Sequence, residues 1–307
     1  MPKVSIVIPC YNAEAFLART IESVLAQDFD DWEMIIVDDG SKDRSSAIAQ
    51  SFVERDSRVR LLCQTNGGPS HARNVGLSAA RSGSDYIAFL DADDLYKPGA
   101  LAFMVHYLDQ RPEAGVVGVE YDFIDANDAS VLPSSQEYSA VWRYAPRGSG
   151  LRVIPDEEPN TPFITLFCWC RFIPSASLFR RSVLRLTPGF STDLAIGHDV
   201  DLFLQCTLHS EVHFVPQPLV RYRRHGKQLT SSFDAIRKEE QKLWGIWREG
   251  KGLNPEQHGM VAEAWRFKET RFVPHLFRQW GRDRWRAGDY REALICYARA
   301  ARKSLSF

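Results

Sequence analysis

No apolar run in this 307-residue chain approaches the ~20 residues that a bilayer-spanning helix requires. The opening MPKVSIVIPCYN holds only a short apolar stretch, cut by Pro9, which is too brief for a signal peptide. Cysteine is sparse and scattered. Cys168 and Cys170 are the one close pair among six, and their spacing suits neither a zinc knuckle nor a redox dithiol, so all six read as reduced thiols. An excess of either charge is also missing. A net charge of -1 excludes the global basic field that recruits nucleic acid and the acidic surplus of a solvating tail. The G-x-G-x-x-G turn of dinucleotide oxidoreductases does not occur, and CYNAEAF stands after the first apolar run where a nucleotidyltransferase would carry a Gly-rich phosphate loop. These absences point to a cytoplasmic protein, with a peripheral position at the inner membrane face as the variant.

With 44% hydrophobic and 25% charged residues the chain is an ordinary globular one, long enough for one large core and a smaller appendage. Its first half alternates short apolar runs with amphipathic stretches. VSIVI (Val4 to Ile8), MIIV (Met34 to Val37), VRLL (Val59 to Leu62) and YIAFL (Tyr86 to Leu90) read as strands. Helical patterns follow through Phe16 to Leu25 and after Ser41, Pro69 and Pro98. Alternation of this kind predicts an α/β fold whose central sheet is mostly parallel and covered on both faces. Ligands of such sheets bind beyond the carboxyl ends of the strands. Tyr11 and Asn12, Asp38 and Asp39, and Asp91 to Asp94 stand at those ends.

VVGVEYDFI predicts a further strand, and the polar stretch that follows it, up to Gly150, predicts a flexible insertion. ASLF (Ala176 to Phe179) is another apolar segment. GHDVDLFLQCTL predicts a helix with Asp199 and Asp201 in its first turn, where the helix dipole favours carboxylates. Beyond Gly226 only helical pattern remains, so the expected division is a catalytic domain over 1–226 and a helical C-terminal extension over 227–307. Its end, WRAGDYREALICYARAARKSL, predicts a helix pair turning at Gly288 and Asp289. Arg and Lys interleaved with aromatic residues there would suit an anionic membrane surface, although a solvated face over a packed apolar stripe is the commoner use of such helices.

Three carboxylates within four positions after a buried run, Asp91, Asp93 and Asp94, repel one another and need compensation. A hard divalent cation, Mn or Mg, with room left for phosphate oxygens supplies it. A lone Asp there would be a turn or cap residue. Gly67 and Gly68 permit a tight turn with close backbone approach, and the helix starting near Pro69 turns free amides toward an anion, with Arg73 as a candidate phosphate partner beside the alternative of surface packing.

The segments VSIVIPCYNAEAFLARTIESVLAQDFDDWEMIIVDDGSKD and NGGPSHARNVGLSAARSGSDYIAFLDADD resemble, in order, the inverting family-two glycosyltransferases of GT-A fold. The resemblance implies metal-dependent transfer of a sugar from a nucleotide diphosphate donor, UDP favoured, to the hydroxyl of a glycan or lipid-linked acceptor in cell-surface polysaccharide or glycoconjugate synthesis. Carried over by position, Pro9 and Tyr11 line the base pocket, Asp39 accepts a hydrogen bond from the base, Asp91 approaches the ribose or diphosphate, and Asp93 binds the metal. GHDVDLFLQ is similar to the family's acidic motif and makes Asp199 the catalytic base, with His198 standing where Glu is usual. VRYRRHGKQLT resembles the segment that closes over the diphosphate, with His225 as metal or phosphate ligand and Arg223, Arg224 and Lys227 as donors. The Gln-x-x-Arg-Trp motif of processive synthases is missing, which implies one transfer per encounter. A nucleotidyltransferase of related fold and a non-catalytic nucleotide-sugar-binding protein are the rival readings. A homodimer is an open expectation.

Overall fold

Burial on both faces explains three of the four strands that open the chain, and the remaining one, at the sheet edge, is only partly buried. A computed structural model describes residues 2–131, 163–168, 170–226, 233–286 and 288–305. Strands β1 (Val4–Cys10), β2 (Trp32–Asp38), β3 (Val59–Cys63) and β4 (Tyr86–Phe89) pair in parallel, with Val4 opposite both Trp32 and Tyr86. Their side chains divide by parity. Ile6, Ile8, Met34, Ile36 and Ala88 enter one core, and Val7, Ile35, Val37, Ile87 and Phe89 enter the other. A strand with no wet face carries no polar alternation, which is why these runs are continuously apolar.

Helices α1 (Leu17–Leu25), α2 (Ser45–Val53), α3 (Pro69–Ala79) and α4 (Ala100–Asp109) connect and cover these strands. Pro69 opens α3, where its missing amide costs no hydrogen bond, behind Gly68 at φ 87°. Gly76 lets the same helix lie directly on β1, since a Cβ there would stand 2.2 Å from Val7 Cγ1. The N-terminus of α3 is therefore held at the carboxyl end of the sheet.

Strands β5 (Leu95–Tyr96), β6 (Ala114–Ile124), β7 (Ser177–Arg180) and β8 (Glu211–Arg223) complete a sheet of order β3-β2-β1-β4-β7-β6-β8-β5. The sheet is parallel as far as β4 and mixed beyond it. β7 runs antiparallel to both β4 and β6, β8 is parallel to β6, and β5 is antiparallel to β8. Sequence periodicity misses β8 because Pro216 and Pro218 argue against a strand. The pairing with β6 absorbs them in register shifts between Val119 and Tyr121.

Short helices α5 (Phe163–Cys168), α6 (Arg181–Leu184) and α7 (His198–Thr207) precede a helical tail. The tail comprises α8 (Phe233–Glu249), α9 (Pro255–Phe267), a π-helical turn at Lys268–Phe272, α10 (Val273–Arg286) and α11 (Tyr290–Leu305). Leu243 and Trp247 of α8, with Val261 and Ala264 of α9, join the core that holds Phe163 and Phe167. These two helices follow the expected division at 226 and pack apolar side chains into that core. The six cysteines are free thiols. From residue 132 to Gly150 the expected polar insertion lies outside the described residues, as does Lys227.

Candidate active site

The loops after β1, β2 and β3 are laced into one rim. Asp39 N donates to Cys10 O at 2.8 Å and Gln64 N to Asp38 O at 2.9 Å. Asn12, at φ 50°, accepts on Oδ1 from Lys42 N at 2.8 Å and donates its own amide to Ser41 Oγ at 3.0 Å. Tyr11 emerges from this rim with half its surface exposed, beside a half-buried Pro9.

The Asp39 carboxylate is turned to backbone. Oδ1 accepts from Gly67 N at 2.8 Å and from Gln64 Nε2 at 2.7 Å, while Oδ2 accepts from Gly68 N at 2.8 Å. The residue expected to face a base therefore first fixes the Gly67-Gly68 turn that launches α3, and it keeps a lone pair on Oδ2 for anything further. Gln64 Nε2 also meets His71 Nδ1, at 2.8 Å, which ties this rim to the first turn of α3.

Arg73, two residues on, is buried rather than extended to solvent. Its guanidinium donates one Nη to Asp91 Oδ1 in a very short contact and the other to His198 Nε2 at 2.8 Å. Because arginine only donates, Nε2 must accept, and His198 is held as the neutral imidazole with its proton on Nδ1. Burial, and behind it the Arg73 charge, pushes the His198 pKa down. This chain joins the end of β4 to the start of α7, where Asp199 stands half-buried. One Asp199 oxygen accepts from Val200 N at 2.9 Å, and the other has no partner among the described residues. Asp201, one residue beyond Val200, is buried and accepts from Trp247 Nε1 at 2.9 Å and Gln205 Nε2 at 2.7 Å. Burial lifts its pKa to about 6 in spite of those bonds.

At the other end of the cleft, Asp93 Oδ2 and His225 Nε2 are 2.8 Å apart. Two ligands at right angles on a Mg- or Mn-sized cation would be about 3 Å apart, so the pair fits such an ion as it stands. Burial, and then the neighbouring Asp91 charge, raises the Asp93 pKa, which is the electrostatic demand a cation relieves. Among the described residues no third Asp, Glu, His or Cys joins them as a metal-holding group. His225 is oriented by stacking on Phe16, with centroids 5.0 Å apart.

Arg223 corrects the sequence reading. Expected as a ligand donor, it is fully buried: its Nε donates to Asp93 O at 2.7 Å and one Nη to Asp125 O at 2.7 Å, with Asp128 Oδ1 at 2.5 Å. Its own amide donates to Asp94 Oδ1 at 2.9 Å. Arg19 of α1 holds the second Asp128 oxygen at 2.6 Å. Arg223 thus supports the Asp93 loop from behind, and Asp94, fully buried with its pKa raised by that burial and then by the Asp93 and Asp91 charges, is a structural member of the triplet. Arg224 remains exposed, over the Phe123 ring. No local sequence pattern signals the Arg223 role, Asp94 as its partner, or the Arg73–His198 contact.

A sheet that is parallel through β4, with acidic residues at its strand ends and a metal-sized pair beside them, defines an α/β protein of the GT-A type. The model of the family described as Glycosyl transferase family 2 matches residues 5–185, and the chain belongs to that family. GlyG of Streptococcus pneumoniae serotype 4, a glycosyltransferase, is 34% identical over 233 residues, 75% of this chain and 74% of that protein. EpsJ of Bacillus subtilis, an uncharacterized glycosyltransferase, is 32% identical over 231 residues, which are 75% of this chain but only 63% of EpsJ. Among solved structures, the mannosyltransferase PcManGT from Pyrobaculum calidifontis, in complex with GDP-Man and Mn2+, aligns at TM-score 0.61 with 19% identity, over 98% of this chain and 75% of that one. Residues 1–349 of S. aureus TarS, in complex with UDP-GlcNAc, align at 0.58 with 16% identity, over 99% and 93%.

Proposed function

We propose that this chain is an inverting glycosyltransferase that moves a hexose-type sugar from a nucleoside diphosphate donor, UDP-linked by preference, to a hydroxyl of a glycan or lipid-linked acceptor. The observation that carries the reading is the Asp91–Arg73–His198 chain, which sets the acids of the strand ends against the start of α7 and its free Asp199 oxygen. Asp199 takes the acceptor proton as the sugar leaves. Its one oxygen without a partner among the described residues suits that task. Pro9 and Tyr11 receive the base, and Asp39 offers its remaining Oδ2 lone pair. Asp91 orients the ribose-diphosphate end, with Arg73 supplying positive charge from beneath it. Asp93 and His225 would hold Mn or Mg, which when bound neutralises the leaving diphosphate. A role in cell-surface polysaccharide or glycoconjugate synthesis agrees with the kinds of relative that match.

Replacing Asp199 with Asn keeps the shape and removes the base. Nucleotide binding by calorimetry is expected to stay near wild type, while turnover of a donor found by thermal-shift screening with Mn falls by ~10²- to 10⁴-fold. Unchanged turnover would remove Asp199 from the mechanism. In the same calorimeter, Asp93→Ala is expected to abolish the Mn dependence of nucleotide binding, and retention of that dependence would take Asp93 out of the metal seat.

A further inference from the structure

The chain is nearly neutral as a whole, but its charge is segregated. Residues 273–307 carry eight Lys and Arg against three Asp and Glu, while the other 272 residues carry 30 against 36. That cationic end is the α10–α11 hairpin. Its inner faces are closed: Ala293 and Ala300 are buried, and Gly281 lies so near Tyr297 that a Cβ would stand 2.8 Å from the ring. The turn between the helices points outward, with Gly288 at φ 80° and Asp289 Oδ1 accepting from Glu292 N at 3.3 Å.

Six large hydrophobic residues are exposed among the described residues, and three of them sit at this turn: Trp285 at 51%, Tyr290 at 56% and Leu294 at 61%. They form one patch. The Trp285 and Tyr290 rings meet edge to face at 4.9 Å, and Leu294 is one helical turn beyond Tyr290 on the same side of α11. Arg282, Arg286 and Arg291 are exposed around it and make no ion pair among the described residues, whereas Arg284 is paired with Asp289 at 3.4 Å. Scattered exposed apolar residues need no explanation, but a contiguous aromatic and leucine patch ringed by unpaired arginines does.

We propose that this turn docks on an anionic bilayer, with Trp285, Tyr290 and Leu294 entering the headgroup boundary and Arg282, Arg286 and Arg291 meeting lipid phosphates. Tryptophan and tyrosine settle at that boundary because they are apolar bodies with a polar tip. Juxtaposed arginines add attraction to an anionic leaflet that falls off within a Debye length. No helix of the described residues is long and apolar enough to cross a membrane, so the contact lies on the surface. Charge decides between occupants. A second copy docked patch to patch would oppose two rings of arginine, and a nucleic acid would leave Leu294 without a partner. The inference stands apart from the sugar-transfer reading, since no residue of the patch touches the cleft.

The test is flotation of the full chain with vesicles of phosphatidylcholine alone or mixed with phosphatidylglycerol, at low and high salt. Wild type is expected to float with the mixed vesicles only, and less at high salt. W285S/Y290S/L294S and R282Q/R286Q/R291Q are each expected to lose at least about tenfold in partitioning, with helicity by circular dichroism and transfer to a soluble acceptor unchanged. Failure of wild type to float, or equal flotation by the aromatic variant, overturns the proposal. So does a dimer in analytical ultracentrifugation that the same aromatic variant dissociates, which would give the patch to a second copy of this chain.

Discussion

An arginine organises each end of the cleft, and the two do it differently. Arg223 donates chiefly to backbone, to the carbonyls of Asp93 and Asp125, with Asp128 as its counter-ion. Arg73 donates only to side chains, Asp91 and His198. A backbone-anchored guanidinium fixes where a loop lies, and no change of protonation can release it. One held between side chains sits in a balance that protons and anions shift. The end proposed to hold the metal is accordingly built as a rigid seat, and the end proposed to hold the base as an adjustable one.

Removing Arg223 should break the first half of that contrast most severely. Arg223→Met leaves Asp128 without its buried partner and takes the donor from the Asp93 carbonyl, and a loss of ~3–5 kcal/mol in urea unfolding is expected. Asp128→Asn is the milder probe, because Asn tolerates the φ of 68° at this turn while the charge disappears. It should fold, and its Mn-dependent nucleotide binding should weaken. If Asp128→Asn bound Mn and nucleotide as wild type does, the network behind the seat would be ordinary packing.

The next effect belongs to the base end and concerns Asp201. Its pKa is about 6 in the folded chain against 3.8 in the unfolded reference. Between those values the folded state keeps a proton that the unfolded state has released, so stability falls as pH rises through about 6, by roughly 3 kcal/mol in total. Asp201→Asn removes that loss. The Gln205 amide, whose Oε1 has no partner, can turn over to accept from the new amide while Trp247 still donates to the oxygen. The variant is expected to be ~1–2 kcal/mol more stable than wild type at pH 8. A less stable variant there would mean that the charged form is better solvated than its burial implies.

How much of this could be read from sequence divides along the same line. The strands β1 to β4 and the acids after them were legible because a doubly buried parallel strand is a bare apolar run and its polar end stands out. Asp93 and Asp199 were carried over by position from the family resemblance, and their roles are proposals. Arg223 was not legible, since RYRRHGK offers three similar arginines. Arg221 and Arg223 even share strand parity, yet the first is exposed and the second fully buried. Only the pairing of β8 with β6, and the turn at Asp125 to Asp128 that follows β6, decides which one goes inside. His198 was visible as an oddity beside Asp199, but its partner lies 125 residues away on α3, and no local pattern encodes a contact of that span. β8 itself was hidden by its prolines.

The smallest effect gives the sharpest test of adjustability. His198 must stay neutral to accept from Arg73, and its folded pKa is pushed below the unfolded value of ~6.5 by burial and then by Arg73. As pH falls below that value the unfolded state takes the proton first, so stability is present above it and is lost toward the lower folded value. The groups that face the ring are Arg73 from α3, Asp91 after β4 and Asp199 on its own helix. The sign is opposite to that of Asp201, three residues on, so over pH 5 to 7 the two losses partly cancel in wild type. His198→Gln keeps an acceptor for Arg73 through Oε1 and should cost only about 1 kcal/mol at pH 8. It should also unmask the Asp201 slope, with stability falling steadily from pH 5 to 7, while Asp201→Asn unmasks the reverse. Parallel profiles for the two variants in urea unfolding would show that His198 does not titrate in this window, and the base end would then be as fixed as the metal end.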